Sequence, residues 1–199
     1  MRGLQVNGVV GVLALQGAFA AHCEKLLTLG VECIEVRTCE DLDKVTALVM
    51  PGGESSTMSH LLTTSGLFDP IAHRIADGMA VFGTCAGMIL LASDIVDGRD
   101  DQRSFHALDI SVRRNAYGRQ VDSFESDFVT PFGEIHGVFI RAPKIERIGD
   151  SVEVLGNCQG DPVLVRQGRV LAASFHPELN QDDRVHRFFI EDIVMKEQE

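Results

Sequence analysis

The sequence lacks the features that would direct it to a membrane, a nucleic acid or a disulfide scaffold. No stretch approaches the roughly 20 uninterrupted apolar residues that a membrane-spanning helix needs. The N-terminus, Met1 to Gly8, carries one arginine and no apolar core, so it does not read as a secretory signal. Positive charge is scarce: 18 Lys+Arg against 29 Asp+Glu leave a formal charge of −11. That balance repels phosphate backbones, and no basic stripe overrides it, so nucleic-acid binding is not expected. The five cysteines (Cys23, Cys33, Cys39, Cys85 and Cys158) are odd in number and form no CxxC pair. Neither a disulfide framework nor a metal site fits them, and most read as small buried hydrophobes. The expected setting is the cytoplasm, with no membrane association.

What is present suits one compact domain. The 199 residues, 45% hydrophobic and 24% charged, supply one domain over 1–199 with a core over about 8–195. No repeat, low-complexity tract or linker interrupts them. Strand-like Val9–Leu15 precedes an amphipathic helix over Ala18–Leu29 that ends at Gly30. Val31–Arg37 and Ala47–Met50 read as strands, and Pro51-Gly52-Gly53 breaks the second. A helix over Ser55–Leu62 is expected to be capped by Ser55 or Ser56. Met79–Gly83 is a strand backed by a helix over Ala86–Ala92. The alternation predicts an α/β fold, a doubly wound and mostly parallel sheet with helices on both faces. After about Leu108, runs at Val138–Arg141, Val152–Leu155, Val163–Arg166 and Val170–Phe175 predict added hairpin strands, and Asp182–Met195 a closing helix.

Ligands bind such sheets beyond the carboxyl ends of the strands, where Pro51–Ser55, Gly83–Gly87 and His176–Glu178 fall. Cys85 sits between strand and helix with glycines two residues before and after it, the G-x-C-x-G form of a nucleophile elbow. A helix N-terminus and a protonated histidine beside a thiol both favour the thiolate. The base for it is His176, in Phe175-His176-Pro177-Glu178. In an extended segment residues i and i+2 share a side, so the Glu178 carboxylate can orient the His176 imidazole. Of the other histidines, His22, His60, His73 and His186 are expected in helices and His106 and His136 in polar loops, in solvated or merely hydrogen-bonded roles. Attack on a carbonyl carbon creates an oxyanion that needs two N–H donors. Ala86, just after the cysteine, and Gly53, in the PGGES turn, are the candidates.

PGGES at 51–55, GTCAG at 83–87 and FHPE at 175–178 resemble the motifs of class I glutamine amidotransferases. ALQGAF at 14–19, RNAYGRQVDSF at 114–124 and FIRAP at 139–143 are similar to those of the glutaminase subunits of pyridoxal 5'-phosphate synthase. The resemblance implies hydrolysis of L-glutamine through a cysteine thioester by Cys85, His176 and Glu178. It implies glutamine contacts at Gly53, Glu54, Ser55, Arg114, Ile140 and Arg141, with arginines suited to a carboxylate and Glu54 to an ammonium. It also implies no cofactor in this chain and, as partner, a (β/α)₈-barrel synthase in a hetero-oligomer. A gate is expected with it. The Gly52–Gly53 peptide has no Cβ on either side and can rotate, so contacts at the Gln16-Gly17 loop could set the oxyanion hole. A glutaminase subunit of another amidotransferase complex, a non-catalytic binding module on the same fold and a cysteine peptidase are the alternatives.

Overall fold

The computed structural model describes residues 8–114 and 123–196. Its centre is a seven-stranded sheet. Five strands run parallel: β1 (Val9–Leu13), β2 (Cys33–Val36), β3 (Val45–Met50), β4 (Ala80–Thr84) and β12 (Val170–Ala173). On the β12 edge, β11 (Asp161–Gln167) and β10 (Glu153–Cys158) continue antiparallel, giving the order β10-β11-β12-β4-β3-β1-β2. The hairpin strands expected late in the chain are thus joined to the parallel core through β12. Two smaller sheets stand beside it: β5 (Ala92–Ile95), β6 (Leu108–Arg113) and β9 (Lys144–Ile148), and the ribbon β7 (Phe124–Thr130) with β8 (Gly133–Phe139).

Alternation along the central strands explains why both faces are covered. Leu48 and Met50 of β3 and Val81 of β4 point to one core, which receives Met58 and Leu62 of α3 (Ser55–Thr64), Ile71 of α4 (Phe68–Ala76) and Met88 of α5 (Ala86–Leu91). Ala47, Val49, Ala80 and Phe82 point the other way. That core receives Leu26 of α1 (Phe19–Thr28), Val185 of α6 (Arg184–Phe188), and Phe189 and Ile190 of the π-helical turn Phe189–Val194 that comes next. A short α2 (Cys39–Leu42), capped by Thr38, links β2 to β3. Helix α1 stops where expected. Gly30, at φ 77°, lets its N–H and that of Val31 fold back onto the carbonyls of Leu27 and Leu26.

The structure corrects several expectations. The cap of α3 is Glu54, whose carboxylate accepts from the backbone N–H groups of Ser56 and Thr57. Serines beside a glutamate hide that choice, because all are oxygen acceptors near the same four orphan donors. His136 lies in β8, facing Asp127 across the ribbon, rather than in a loop. One side of this ribbon is exposed, so its polar residues imitate loop composition. Of the cysteines only Cys85 and Cys158 are buried, while Cys23 and Cys33 are half-buried and Cys39 is exposed. Among the described residues no helix is long and apolar enough to cross a membrane.

The close approach of α5 to the sheet is what sets the elbow. A Cβ on Gly87 would lie 2.2 Å from the Met50 carbonyl oxygen of β3, and one on Gly83 would lie 2.6 Å from the Gly87 carbonyl carbon. Both obstacles are backbone, so neither can swing aside. Gly87→Ala is therefore expected to destabilise the protein by about 1–3 kcal/mol through overpacking. The loss is read by thermal unfolding as about 2–4 °C in Tm per kcal/mol for a chain of this size. An unchanged Tm would show that α5 can lift from the sheet without loss.

Candidate active site

Cys85 links β4 to α5 with φ 48° and ψ −101°, one of four non-glycine residues at positive φ among the described residues. Such a backbone is held only when the surroundings over-determine it. Here they do. The Cys85 N–H donates to the Ala173 carbonyl of β12 at 2.8 Å, the Ile89 N–H closes onto the Cys85 carbonyl, and the glycines on either side admit the turn. The side chain is buried but lines a pocket.

The same strand pairing delivers the candidate base, His176. Ala173 of β12 is in register with Thr84 of β4, so Cys85 and the segment Ser174–His176 leave the sheet together at one edge. His176 is then tied to β8 by its own N–H, which donates to the Val138 carbonyl at 2.8 Å. His176 Nδ1 is 2.7 Å from Glu178 Oε1. The reason differs from the one the sequence suggested. Glu178 belongs to a 3₁₀ turn, Pro177–Leu179, and not to an extended segment. Pro177, with its fixed φ and no N–H to lose, begins that turn and swings Glu178 back beside the ring. Burial works against the protonated ring, but the bonds to Cys85 and Glu178 outweigh it and push the His176 pKa up to about 10. Burial likewise opposes the Glu178 anion, and the His176 bond overcomes it, holding the carboxyl below its usual range. The Nδ1–Glu178 bond leaves Nε2 for the thiol.

A pocket of about 270 Å³ joins Cys85 and His176 to Gly53, Glu54, Ser55, Arg114, Ile140 and Arg141, with Ile89 added. All the residues expected at a glutamine site are therefore on one wall or another of a single cavity. Larger clefts of about 700 and 410 Å³ lie by Phe68 and by Met79, but neither reaches Cys85. Of these three clefts among the described residues, the small one is lined by both Cys85 and His176, and the candidate site is placed there.

The pocket side chains are held by neighbours that the sequence did not disclose. Arg114 bonds Gln102 through its guanidinium and approaches Glu54 at 3.8 Å, while Gln102 donates to Ser55 Oγ at 3.1 Å. Glu54 is occupied as the α3 cap. Partial burial opposes its charge, yet bonds from the Thr57 and Ser56 hydroxyls and N–H groups bring its pKa down to about 2. Arg141, just past β8, takes a strained φ of 47°. Residues 115–122, which hold most of the RNAYGRQVDSF motif, lie outside the described residues.

Facing the elbow is the Gly52–Gly53 peptide. A Cβ on Gly52 would lie 2.4 Å from His176 Cε1 and 3.4 Å from the Cys85 Cβ. The Gly52 carbonyl accepts from the Ala18 N–H at 3.3 Å, and Gly17, at φ 93°, leaves room for it. In a trans peptide the Gly53 N–H then points away from the 17–18 loop. Gln16 Oε1 accepts from the Glu54 N–H at 3.1 Å.

Behind Glu178 the core turns polar. His22 of α1 and His186 of α6 are both fully buried. His22 Nδ1 is 2.9 Å from His186 Nε2, and His22 Nε2 is 3.1 Å from Thr84 Oγ1 and 3.4 Å from Glu178 Oε2. Histidines on amphipathic helices give no sequence signal that separates this setting from a solvated one.

Comparison with known proteins gives a family. The model of the SNO glutamine amidotransferase family matches residues 12–195. A pyridoxal 5'-phosphate synthase subunit PdxT of Corynebacterium jeikeium is 54% identical over 187 residues, covering 92% of this chain and 95% of its own. One of Thermus thermophilus is 53% identical over 188 residues, covering 94% of this chain and 98% of its own. A crystal structure described as a glutamine amidotransferase matches with a TM-score of 0.87 at 53% identity, covering 92% of this chain and 98% of its own. The PurLQS structure of Thermotoga maritima, at 15% identity and a TM-score of 0.69, shares the fold. With its model spanning nearly the whole chain and relatives above half identity end to end, this protein belongs to the SNO glutamine amidotransferase family.

Proposed function

We propose that the chain hydrolyses L-glutamine to L-glutamate and ammonia, and passes the ammonia to a (β/α)₈-barrel synthase that makes pyridoxal 5'-phosphate. The observation that carries this reading is the meeting, in one pocket, of an elbow cysteine and a carboxylate-held histidine with two arginines on the walls. The PdxT relatives, above half identity along nearly their full length, supply the synthase. We place this protein in the cytoplasm, the setting expected of a chain with no export signal.

The chemistry is set by the donors and acceptors present. His176 takes the Cys85 proton through Nε2, and the sulfur attacks the side-chain amide carbon. Charge moves to the amide oxygen, for which the N–H groups of Ala86 and Gly53 serve as the oxyanion hole. The imidazolium, stabilised by Glu178, returns its proton to the departing nitrogen. Ammonia leaves and a thioester remains. Water, deprotonated by His176, then cleaves the thioester to glutamate and frees the thiol. Arg114 and Arg141 suit the α-carboxylate of glutamine. Glu54, kept charged by its cap, suits the α-ammonium from the rim. Gly53, Ser55 and Ile140 shape the wall around it. Each of these steps uses groups of this chain, its substrate and water.

Two variants test the chemistry. Cys85→Ser should abolish glutamine hydrolysis and Glu178→Gln should lower kcat far more than it changes KM, because Glu178 orients the base and does not touch the substrate. Steady-state kinetics on the folded variants check both. Full activity in Cys85→Ser would remove the thioester, and a raised KM at unchanged kcat in Glu178→Gln would make Glu178 a substrate ligand.

Another expectation concerns the partner. We assign to the Gly52–Gly53 peptide a rotation that completes or blocks the oxyanion hole, biased by whatever presses on the Gln16-Gly17 loop holding it. One lost oxyanion donor costs about 10²–10³ in rate, or roughly 2.7–4 kcal/mol. Saturating synthase should therefore raise kcat for glutamine by a factor of that order over the subunit alone. Gly53→Ala should blunt the rise, since its Cβ would fall 2.6 Å from Gln16 Oε1 and push that side chain off the Glu54 N–H. Equal kcat with and without synthase would dismiss the gate.

A further inference from the structure

We infer that His22, itself oriented by His186, is a positioning residue for Glu178, so that the line of side chains behind Cys85 runs His176, Glu178, His22, His186. The inference rests on the glutaminase reading above and extends it inward from the pocket. Glu178 Oε1 is used by His176. The second oxygen, Oε2, is buried without a hydrogen-bond partner of good geometry, and His22 Nε2 stands 3.4 Å from it. A buried carboxylate oxygen with nothing facing it would be costly.

The protons decide what His22 offers. One proton lies between His22 Nδ1 and His186 Nε2, 2.9 Å apart. If His22 supplied it, His22 Nε2 would turn a bare lone pair toward the Glu178 anion. His186 would then carry its own proton on Nδ1, which is buried and without a partner. Both faults disappear if His186 Nε2–H donates to His22 Nδ1. The unpartnered His186 atom is then an acceptor, which is less costly to bury alone than an N–H. His22 carries its proton on Nε2, aimed between Thr84 Oγ1 at 3.1 Å and Glu178 Oε2. The network thus selects both tautomers, and its N–H dipoles point toward the carboxylate.

Both rings stay neutral. Burial brings each pKa down to about 3, against the pull of Glu178 in the case of His22. The charged groups facing the pair are Glu178 and His176 from the segment after β12, and Lys25 from α1. His22 therefore acts as a fixed dipole. It stabilises the Glu178 anion and fixes its rotation, so that Oε1 stays on His176 Nδ1. Glu178 in turn favours the protonated His176, the form that must hand a proton to the leaving nitrogen.

The test compares His22→Leu, which removes the dipole, with His22→Gln, whose Nε2 amide lies near the position of the imidazole Nε2–H. In the complex with the synthase, His22→Leu should lower kcat by about 10-fold or more, the scale for losing the outer partner of a held ligand. KM should change little, because His22 does not touch glutamine. The alkaline limb of the kcat/KM profile should move to lower pH as His176 gives up its proton more readily. His22→Gln should keep most of the activity and the parental limb, and His186→Leu should show a smaller loss in the same direction. NMR titration of ring-labelled histidine in the isolated chain reads the His176 pKa without any substrate. It should fall in His22→Leu and stay near that of the parent in His22→Gln. Parental kcat and an unmoved His176 titration in His22→Leu would overturn the inference. So would equal losses in both His22 variants with His176 unmoved, which would mark a packing role. A parent chain that hydrolyses no glutamine would overturn the functional reading alone, because the titration still decides on His22.

Discussion

The parallel pairing of β4 with β12 is the constraint on which the site depends. Thr84 and Ala173 lie in register, and the Cys85 N–H caps the ladder on the Ala173 carbonyl. The two strands therefore end together, and local geometry fixes the segment after each: a strained elbow after β4, a proline-initiated turn after β12. Sheet hydrogen bonds are short, directional and buried here, so they locate the thiol and the imidazole better than any contact between the two side chains could. The rest is supporting structure. Helix α5 is pressed onto β3 and β4 by two glycines, and β8 holds His176 from the side.

Much of this was legible in the sequence because the residues concerned are required by backbone geometry. Glycines around Cys85 are needed for an elbow that approaches Met50 at atomic contact, and Gly30 for a left-handed helix stop. Alternating apolar residues in β3 and β4 reflect a sheet covered on both sides. The unread parts are those where different residues satisfy one physical need. Glu54, Ser55 and Ser56 can all accept from the first N–H groups of α3, and only three-dimensional direction selects Glu54. His22 and His186 are separated by most of the chain, so nothing local announces that their rings meet. Gln102, which links Arg114 to Ser55, comes from an irregular segment whose path no period predicts.

Helix α1 connects the two sides of the candidate site. Its first turn begins just after Ala18, whose N–H holds the Gly52 carbonyl, and the same turn carries His22 toward Glu178. The loop that faces the Gly52–Gly53 peptide and the ring that faces the Glu178 carboxylate are therefore attached to one short element. A displacement of that helix by a docked protein would reach the Gly52–Gly53 peptide and the Glu178 carboxylate together, with no long pathway between them.

Because β4 and β12 are neighbours in space and distant in sequence, the chain between them leaves the sheet at Cys85 and comes back to the pocket at Arg114, Ile140 and Arg141 before it re-enters at β12. The described residues between 92 and 169 build the two smaller sheets and the outer hairpin. Exchanges at exposed positions of that stretch need not disturb the register of Thr84 with Ala173. Such a layout lets the exposed surface diverge while the register that places Cys85 and His176 stays in place. The PurLQS structure of Thermotoga maritima keeps the same fold with only 15% of its residues in common.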